Sequence, residues 1–119
     1  MATSGIELSL SPGSQLPAVS VVLPVLNEEL HLANAIQSIL AQDYAGTLEI
    51  IVALGPSHDK TDEVAQKLAS TDERILLVQN PTGRTAAALN LAIHKSSNPV
   101  IVRVDAHAEL ESNYISLAI

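Results

Sequence analysis

The 119-residue chain contains no cysteine, tryptophan or phenylalanine, and only two tyrosines. The absence of cysteine excludes disulfides, thiolate nucleophiles and zinc sites with cysteine ligands. Six Lys and Arg residues stand against 13 Asp and Glu residues, which gives a formal net charge of −7. Nucleic acid is therefore not an expected partner, because general binding to it depends on clustered Lys and Arg. An anionic ligand must be bound at a local site.

Long apolar runs are also absent. None approaches the roughly 20 residues of a membrane-spanning helix. Residues 1–17 carry Glu7 and no Lys or Arg, so the positive start of a signal peptide is missing. This Ser-, Pro- and Gly-rich segment is predicted to be a flexible N-terminal tail. We expect a cytoplasmic location, with contact to the inner face of a membrane only through a C-terminal region outside this sequence.

From Val19 onward, apolar runs of strand length alternate with segments of helical periodicity, which is typical of an α/β fold with a mostly parallel sheet and flanking helices. The third helix is predicted to turn Ala86, Leu89 and Ile93 inward. Asp59 or Thr61 is the candidate N-cap of the second helix. Residues 18–119 are expected to form one domain that is incomplete at its C-terminus, because the apolar end has no polar cap. The predicted strands are 19–23, 48–54, 74–78 and 100–104, and the predicted helices are 28–42, 61–70, 84–95 and 112–119.

Uncommon polar residues cluster after the strands, where open parallel sheets bind ligands. After the fourth strand, Asp105, His107 and Glu109 alternate and would share one face of an extended segment. Oxygen and imidazole donors at this spacing suit Mn²⁺ or Mg²⁺ that also binds phosphate oxygens. The alternative is that Asp105 caps the last helix and His107 is an ordinary loop residue.

Two other strand ends carry candidate ligand contacts. Asn27 and Glu28 could bond a base or ribose, or could serve as the N-cap and helix-dipole partner of the next helix. Gly83 and Arg84 offer backbone N–H groups and a guanidinium to a phosphate, or form a turn with a surface arginine. Arg103 is expected to pair with a neighbouring carboxylate.

Several common enzyme motifs are missing. The five glycines, at 5, 13, 46, 55 and 83, form neither the dinucleotide-binding G-x-G-x-x-G nor the Walker motif. Ser57-His58-Asp59 is not a nucleophilic triad, because triad members come from separated parts of a chain. A flavodoxin-like receiver domain shares the strand-helix alternation, but it needs an acidic cluster after its first strand, where this chain has Pro24.

Four segments, in order, stand out: VSVVLPVLNEE at 19–29, EIIV at 49–52 with S-x-D-x-T at 57–61, NPTGRTAAALN at 80–90, and VDAHAE at 104–109. Together they resemble the nucleotide-sugar-binding half of the inverting glycosyltransferase family 2, which has the GT-A fold. The Asp-Ala-His variant of the last segment is similar to enzymes of exopolysaccharide assembly.

The resemblance implies a donor site for a nucleoside diphosphate sugar, with a UDP-sugar expected. It also implies metal-assisted transfer of the sugar, with inversion, to a hydroxyl of a glycan or lipid-linked acceptor. A divalent ion, Mn²⁺ or Mg²⁺, would neutralise the diphosphate as the nucleotide leaves. The resemblance assigns nucleotide contacts to Pro24, Asn27, Glu28, Asp59, Arg84 and Asp105, and metal contacts to Asp105 and His107.

The sequence departs from the family pattern in two ways. Leu54 stands where members usually carry an Asp that contacts the base, and losing a charge-assisted hydrogen bond typically costs about 1.5–3 kcal/mol. Weaker or altered base recognition is therefore expected. The family's general base, an Asp or Glu, is expected beyond Ile119, so the isolated chain is expected to be inactive. The alternative function is a catalytically inactive truncated remnant or a binding module.

Overall fold

A computed structural model describes residues 16–119 of the chain, and the predicted tail falls almost wholly outside the described residues. Parallel strands alternate with helices along this part of the chain, which confirms the α/β class and the mostly parallel sheet. The elements are β1 (Val19–Val25), α1 (Leu32–Leu40), β2 (Leu48–Leu54), α2 (Thr61–Thr71), β3 (Ile75–Gln79), α3 (Thr85–Lys95), β4 (Val100–Arg103) and α4 (Tyr114–Ala118).

The sheet has the strand order β3-β2-β1-β4, and every neighbouring pair is parallel. The chain adds β2 and β3 on one side of β1 and then crosses to place β4 on the other side. The order therefore reverses between β1 and β4. In open parallel sheets, the crevice beyond the carboxyl ends of the strands at such a reversal is the usual ligand site.

Helices cover both faces of the sheet. The larger core lies on the face covered by α1, α2 and α4, and a smaller cluster of Val22, Ile51 and Ala92 lies under α3. The core is almost entirely aliphatic, and Tyr44 is its one aromatic side chain among the described residues. The fully buried side chains of the larger core include Leu23, Leu32, Ile36, Ile39, Ile50, Leu54 and Ile115.

Helix α1 begins at Leu32, so the predicted start at Glu28 is wrong. Asn27 has a positive φ of 54°, which helical backbone does not adopt. The backbone N–H groups of Glu28 and Glu29 donate to side chains at the start of α2 and just before it, Thr61 Oγ1 and Asp59 Oδ2. Helical bonding starts only when the Leu32 N–H donates to the Glu28 carbonyl at 2.9 Å. The alternative role of Glu28 as a helix-dipole partner is therefore wrong, because the first turn of α1 contains no acidic residue.

Pro24 lies inside β1, because the strand continues to Val25 and does not end at Leu23 as predicted. The pairing of β1 with β4 stops at the Val22–Arg103 pair. On the β4 side of the strand, the Val22 carbonyl accepts the Val104 N–H at 3.0 Å. On the β2 side, the Val25 carbonyl accepts the Gly55 N–H. Alternate residues of a parallel strand bond to opposite neighbours, so Pro24 faces the side where no paired strand needs its missing N–H.

Other predicted boundaries are wrong by one or two residues. β3 starts at Ile75 rather than Arg74, since the Arg74 N–H donates to Asp72 Oδ1 at 2.9 Å in a turn. The Arg74 guanidinium, bonded to the same carboxylate at 2.7 Å, lowers the pKa of Asp72 to about 2. β4 ends at Arg103 rather than Val104, and α4 starts at Tyr114 rather than Ser112, where a turn is closed by the Tyr114 N–H.

The inward face of α3 also differs from the prediction. Ala88 and Ala92 are the buried residues, Leu89 is half-buried, Ala86 is exposed and Ile93 is 48% exposed. Because α3 packs closely on the sheet through the small side chains of Ala88 and Ala92, the larger side chains lie at the sides of the contact and stay partly exposed.

Within residues 16–119, no helix is long and apolar enough to cross a membrane.

Replacing Gly83 should destabilise the chain because its φ is +70° and an added Cβ would lie 3.1 Å from Pro56 Cδ. For Gly83→Ala we expect a loss of about 1–2 kcal/mol in the free energy of unfolding. Gly83→Asn is the control, since asparagine tolerates this backbone region better. Urea denaturation measures both variants. An alanine variant as stable as the wild type would contradict the backbone requirement.

Candidate functional site

The loops that follow β1 and β2 are joined by hydrogen bonds from backbone to side chain. The Asn27 N–H donates to Ser57 Oγ at 2.9 Å, and Asn27 Oδ1 accepts the His58 N–H at 2.7 Å. The interpretation of Asn27 as an N-cap is wrong, because α1 is preceded by His31 and has no side-chain cap. The positive φ of Asn27 instead directs its exposed amide across to the β2 loop.

Asp59 and Thr61 form the second half of this connection. Asp59 Oδ1 accepts the Thr61 N–H at 3.0 Å and the Thr61 hydroxyl, and Thr61 Oγ1 accepts the Glu28 N–H at 2.8 Å. The residue directly before α2 is Lys60, so neither predicted N-cap occupies that position. The Thr61 hydroxyl is the main reason why the pKa of Asp59 lies below its ordinary value of 3.8. Because folding lowers this pKa, the carboxylate stabilises the loops above pH 3.8 and loses that effect as the pH falls through the lowered value.

Thr61→Val should loosen the two loops. Thr61 is fully buried, and valine keeps its shape while leaving the Glu28 N–H without its acceptor. We expect a loss of about 1–3 kcal/mol, the cost of an unsatisfied buried donor. Thr61→Ser keeps the hydroxyl and is the matched control. Amide hydrogen exchange at Glu28, with urea denaturation, tests this, and unchanged exchange in the valine variant would refute it.

In the segment after β4, Val104 and Ala106 are buried in the core, and the side chains of Asp105 and His107 are exposed. Val104 is 4% exposed and Ala106 is 2% exposed, and both belong to the main core. The expected extended run is wrong, since the chain turns at Ala106 and His107 and the Ala108 N–H donates to the Asp105 carbonyl at 3.0 Å. The alternative role of Asp105 as a helix cap is also wrong, because Asn113 precedes α4.

Asp105 and His107 each have one charged neighbour. Arg103 Nη2 lies 3.6 Å from Asp105 Oδ1, so the expected pairing of Arg103 with a carboxylate is confirmed, although both side chains are more than half exposed. His107 Nδ1 lies 3.2 Å from Glu28 Oε2. The β1 loop and the β4 segment therefore meet at the reversal of strand order. This contact brings Glu28 together with His107, two residues singled out from the sequence.

The loop after β3 completes the same edge. Asn80 is buried; its N–H donates to the Leu54 carbonyl at 2.8 Å and its Nδ2 to the Arg84 carbonyl at 3.0 Å. Gly83 lies against Gly55 of the β2 loop, where a Cβ on Gly55 would be 3.3 Å from Gly83 Cα. Arg84 directly precedes α3, is exposed, and forms no ion pair within residues 16–119. Its guanidinium is therefore available to an anion.

Three of the six Lys and Arg residues lie at this edge. Arg103 ends β4, Lys60 directly precedes α2 and Arg84 directly precedes α3. An open cavity of about 370 Å³ adjoins Asp105 and is lined by Arg103, Leu110 and Tyr114, among others. Because Asp59 and Asp105 lie at the same edge, these three cations do not by themselves make it positive, and a divalent ion would add the charge that an anionic ligand needs.

The sequence indicates no role for Ser57 or Tyr114, and it predicts Thr61 only as a helix cap. The spacing S-x-D-x-T was visible, and hydroxyl and carboxylate side chains in a loop commonly bond to nearby backbone. The partners of these side chains lie 30 and 33 residues away, at Asn27 and Glu28. Periodicity does not reveal such contacts. Tyr114 carried no signal beyond its place in a predicted helix.

A family model for Glycosyl transferase family 2 matches residues 20–119. The chain belongs to glycosyltransferase family 2. Among curated proteins, the chain is 31% identical over 96 residues to the succinoglycan biosynthesis protein ExoA of Rhizobium meliloti (strain 1021), covering 79% of this chain and 29% of ExoA. The chain thus spans less than a third of the length of ExoA.

Solved structures show the same GT-A fold. S. aureus TarS 1-349, in complex with UDP, superposes with a TM-score of 0.74 at 20% identity, covering 85% of this chain and 30% of that one. The mannosyltransferase PcManGT from Pyrobaculum calidifontis, in complex with GDP-Man and Mn²⁺, gives a TM-score of 0.69 at 28% identity, covering 87% and 32%. The expected family and fold are confirmed, and Mn²⁺ is present in the structure of this relative.

Proposed function

We propose that this chain is the nucleotide-sugar-binding part of a family 2 glycosyltransferase. The observation that carries the proposal is the meeting of Glu28 with His107, at 3.2 Å, where the strand order reverses. Four loops from separate parts of the chain supply amide, carboxylate, imidazole and guanidinium groups at this single edge. Asn27 is proposed to contact the base and ribose, with Pro24 shaping the strand end beneath it.

The donor groups fit a divalent ion that is shared with the diphosphate. Asp105 offers carboxylate oxygens and His107 an imidazole nitrogen, and their side chains are 56% and 64% exposed. Within residues 16–119, no group of three or more such side chains could hold an ion on its own. Phosphate oxygens and water must then complete the coordination, which suits Mn²⁺ or Mg²⁺. When bound, the ion supplies charge neutralisation to the departing nucleotide.

The residues of the chain itself have distinct proposed tasks. Arg84, at the start of α3, approaches the diphosphate together with the free N–H groups of the helix end. Asp59 acts indirectly, because its carboxylate is already bonded to Thr61 and to the Glu29 N–H at 3.3 Å. The cavity beside Asp105, with the ring of Tyr114 in its wall, is proposed to receive the sugar.

The donor and acceptor classes follow from the relatives. PcManGT binds GDP-Man with Mn²⁺, and ExoA is named for succinoglycan biosynthesis. We propose a nucleoside diphosphate sugar as donor, a UDP-sugar first, and a glycan or lipid-linked hydroxyl in polysaccharide assembly as acceptor. Transfer itself is proposed for the protein in its complete form.

Calorimetric titration tests the donor proposal. UDP, GDP and their glucose and mannose derivatives are titrated into the chain with Mn²⁺, with Mg²⁺ and with EDTA. We expect binding that requires a metal and that is stronger for one base than for the other. Absence of binding with either metal would overturn the proposal. Equal binding in the presence of EDTA would show that donor binding does not require a metal.

A further inference from the structure

The Glu28–His107 contact joins a fixed group to an exposed one. The Glu28 side chain is 20% exposed, whereas the His107 side chain is 64% exposed. The two residues are 79 positions apart and come from the two loops on either side of the strand reversal. A partly buried carboxylate loses little freedom by accepting a bond from an exposed ring, so Glu28 can dictate the orientation of His107.

Glu28 is itself held by the loop after β2. Its N–H donates at 2.8 Å to Oγ1 of Thr61, which is fully buried, and the Thr61 hydroxyl donates to Asp59. The Glu28 carbonyl accepts the N–H groups of His31 and Leu32, at 3.1 and 2.9 Å, where α1 begins. The backbone of Glu28 is thus bonded on both sides before its carboxylate reaches His107.

We propose that Glu28 is a positioning residue that holds the His107 ring with Nδ1–H toward Glu28 and Nε2 toward the metal. This inference rests on the proposed function, and it differs from the base or ribose contact that the family resemblance assigns to Glu28. A ligating imidazole must offer an unprotonated nitrogen, and the partner of its other nitrogen sets which one that is. The β1 and β2 loops would then build the metal site indirectly, through Asp59, Thr61 and Glu28.

Calorimetry with Mn²⁺ and UDP on the full chain provides the first test. Glu28→Ala should weaken binding by about 10–100-fold, the usual effect of losing a carboxylate behind a ligating histidine. Glu28→Gln should lose less, because its amide oxygen still accepts the Nδ1–H. Glu29→Ala removes the same charge one residue away and is the matched control, with an expected change of less than about threefold for a charge without that contact.

A double-mutant cycle separates positioning from direct contact with the nucleotide. If Glu28 acts through His107, then Glu28→Ala should have no further effect in the His107→Ala background. Additive losses would overturn the positioning role and favour a contact between Glu28 and the ribose. Circular dichroism melting of each variant checks that the fold is retained.

Nitrogen-15 NMR of the His107 ring provides a readout that needs no metal. In the metal-free chain we expect the Nδ1–H tautomer for His107, and a shift toward the Nε2–H tautomer in Glu28→Ala. An unchanged tautomer in that variant would contradict the proposal. If the wild type binds no Mn²⁺ and UDP, the proposed function and this inference both fail. If Asp105→Ala weakens binding but Glu28→Ala does not, only the inference fails.

Discussion

Asp105→Ala should weaken the binding of UDP in the presence of Mn²⁺ by at least about 100-fold, since losing the proposed direct metal ligand should exceed the 10–100-fold effect of losing a group behind one. Asp105 is the carboxylate that follows β4 and remains 56% exposed, held in place by the buried Val104 and Ala106. The expected mechanism is loss of the charge that binds the ion against the diphosphate. Calorimetry measures the affinity, and circular dichroism confirms the fold.

Two further variants sharpen this result. Asp105→Asn keeps the size of the side chain and should lose nearly as much affinity, because an amide oxygen carries no net charge. Glu111→Gln removes an exposed carboxylate of the following segment and should leave the affinity within about threefold, as expected for a surface charge. Equal affinities for all three variants would show that the metal, if required, lies elsewhere.

Leu54→Asp should strongly destabilise the chain rather than improve nucleotide binding. Leu54 ends β2, is 1% exposed and belongs to the main core. A carboxylate there would have no charged partner, which typically costs about 3–5 kcal/mol of a total stability of about 5–15 kcal/mol. The structure therefore shows that Leu54 serves packing, although the sequence singled it out as a departure at a base-contacting position.

Urea denaturation of Leu54→Asp and Leu54→Met provides the comparison. The methionine variant conserves volume and should lose less than about 1.5 kcal/mol. Burial raises the pKa of the introduced carboxyl group, so the aspartate variant should recover stability as the pH falls and the group becomes neutral. An aspartate variant as stable as the methionine variant, with stronger UDP binding, would show that position 54 reaches the ligand.

The fold was predictable from the sequence because its signals are local. Strand-length apolar runs such as Leu48–Leu54, alternating with helical periodicity, predicted the four strands and their parallel sheet. The predicted helix boundaries were wrong where a contact with a residue distant in sequence outweighed the local helix preference. Glu28 reads as the start of a helix, but its N–H is bonded to Thr61, 33 residues away.

The candidate site was predictable as a set of loops but not as an arrangement. The rule that ligands bind beyond parallel strand ends located Asn27, Glu28, Asp105 and His107 at one edge. It did not predict that Glu28 contacts His107, since that depends on β4 lying beside β1. Strand order is a tertiary property that hydrophobic patterns do not specify.

The most direct test of the account is to map where Mn²⁺ binds when UDP is present. Manganese is paramagnetic and broadens the amide resonances of nearby residues in a ¹⁵N-labelled chain. We predict the strongest broadening around Asp105, His107 and Glu28, and much weaker broadening at the opposite edge of the sheet near Ser96 and Asn98. Broadening that follows the acidic surface in general, or that leaves Asp105 and His107 sharp, would contradict it.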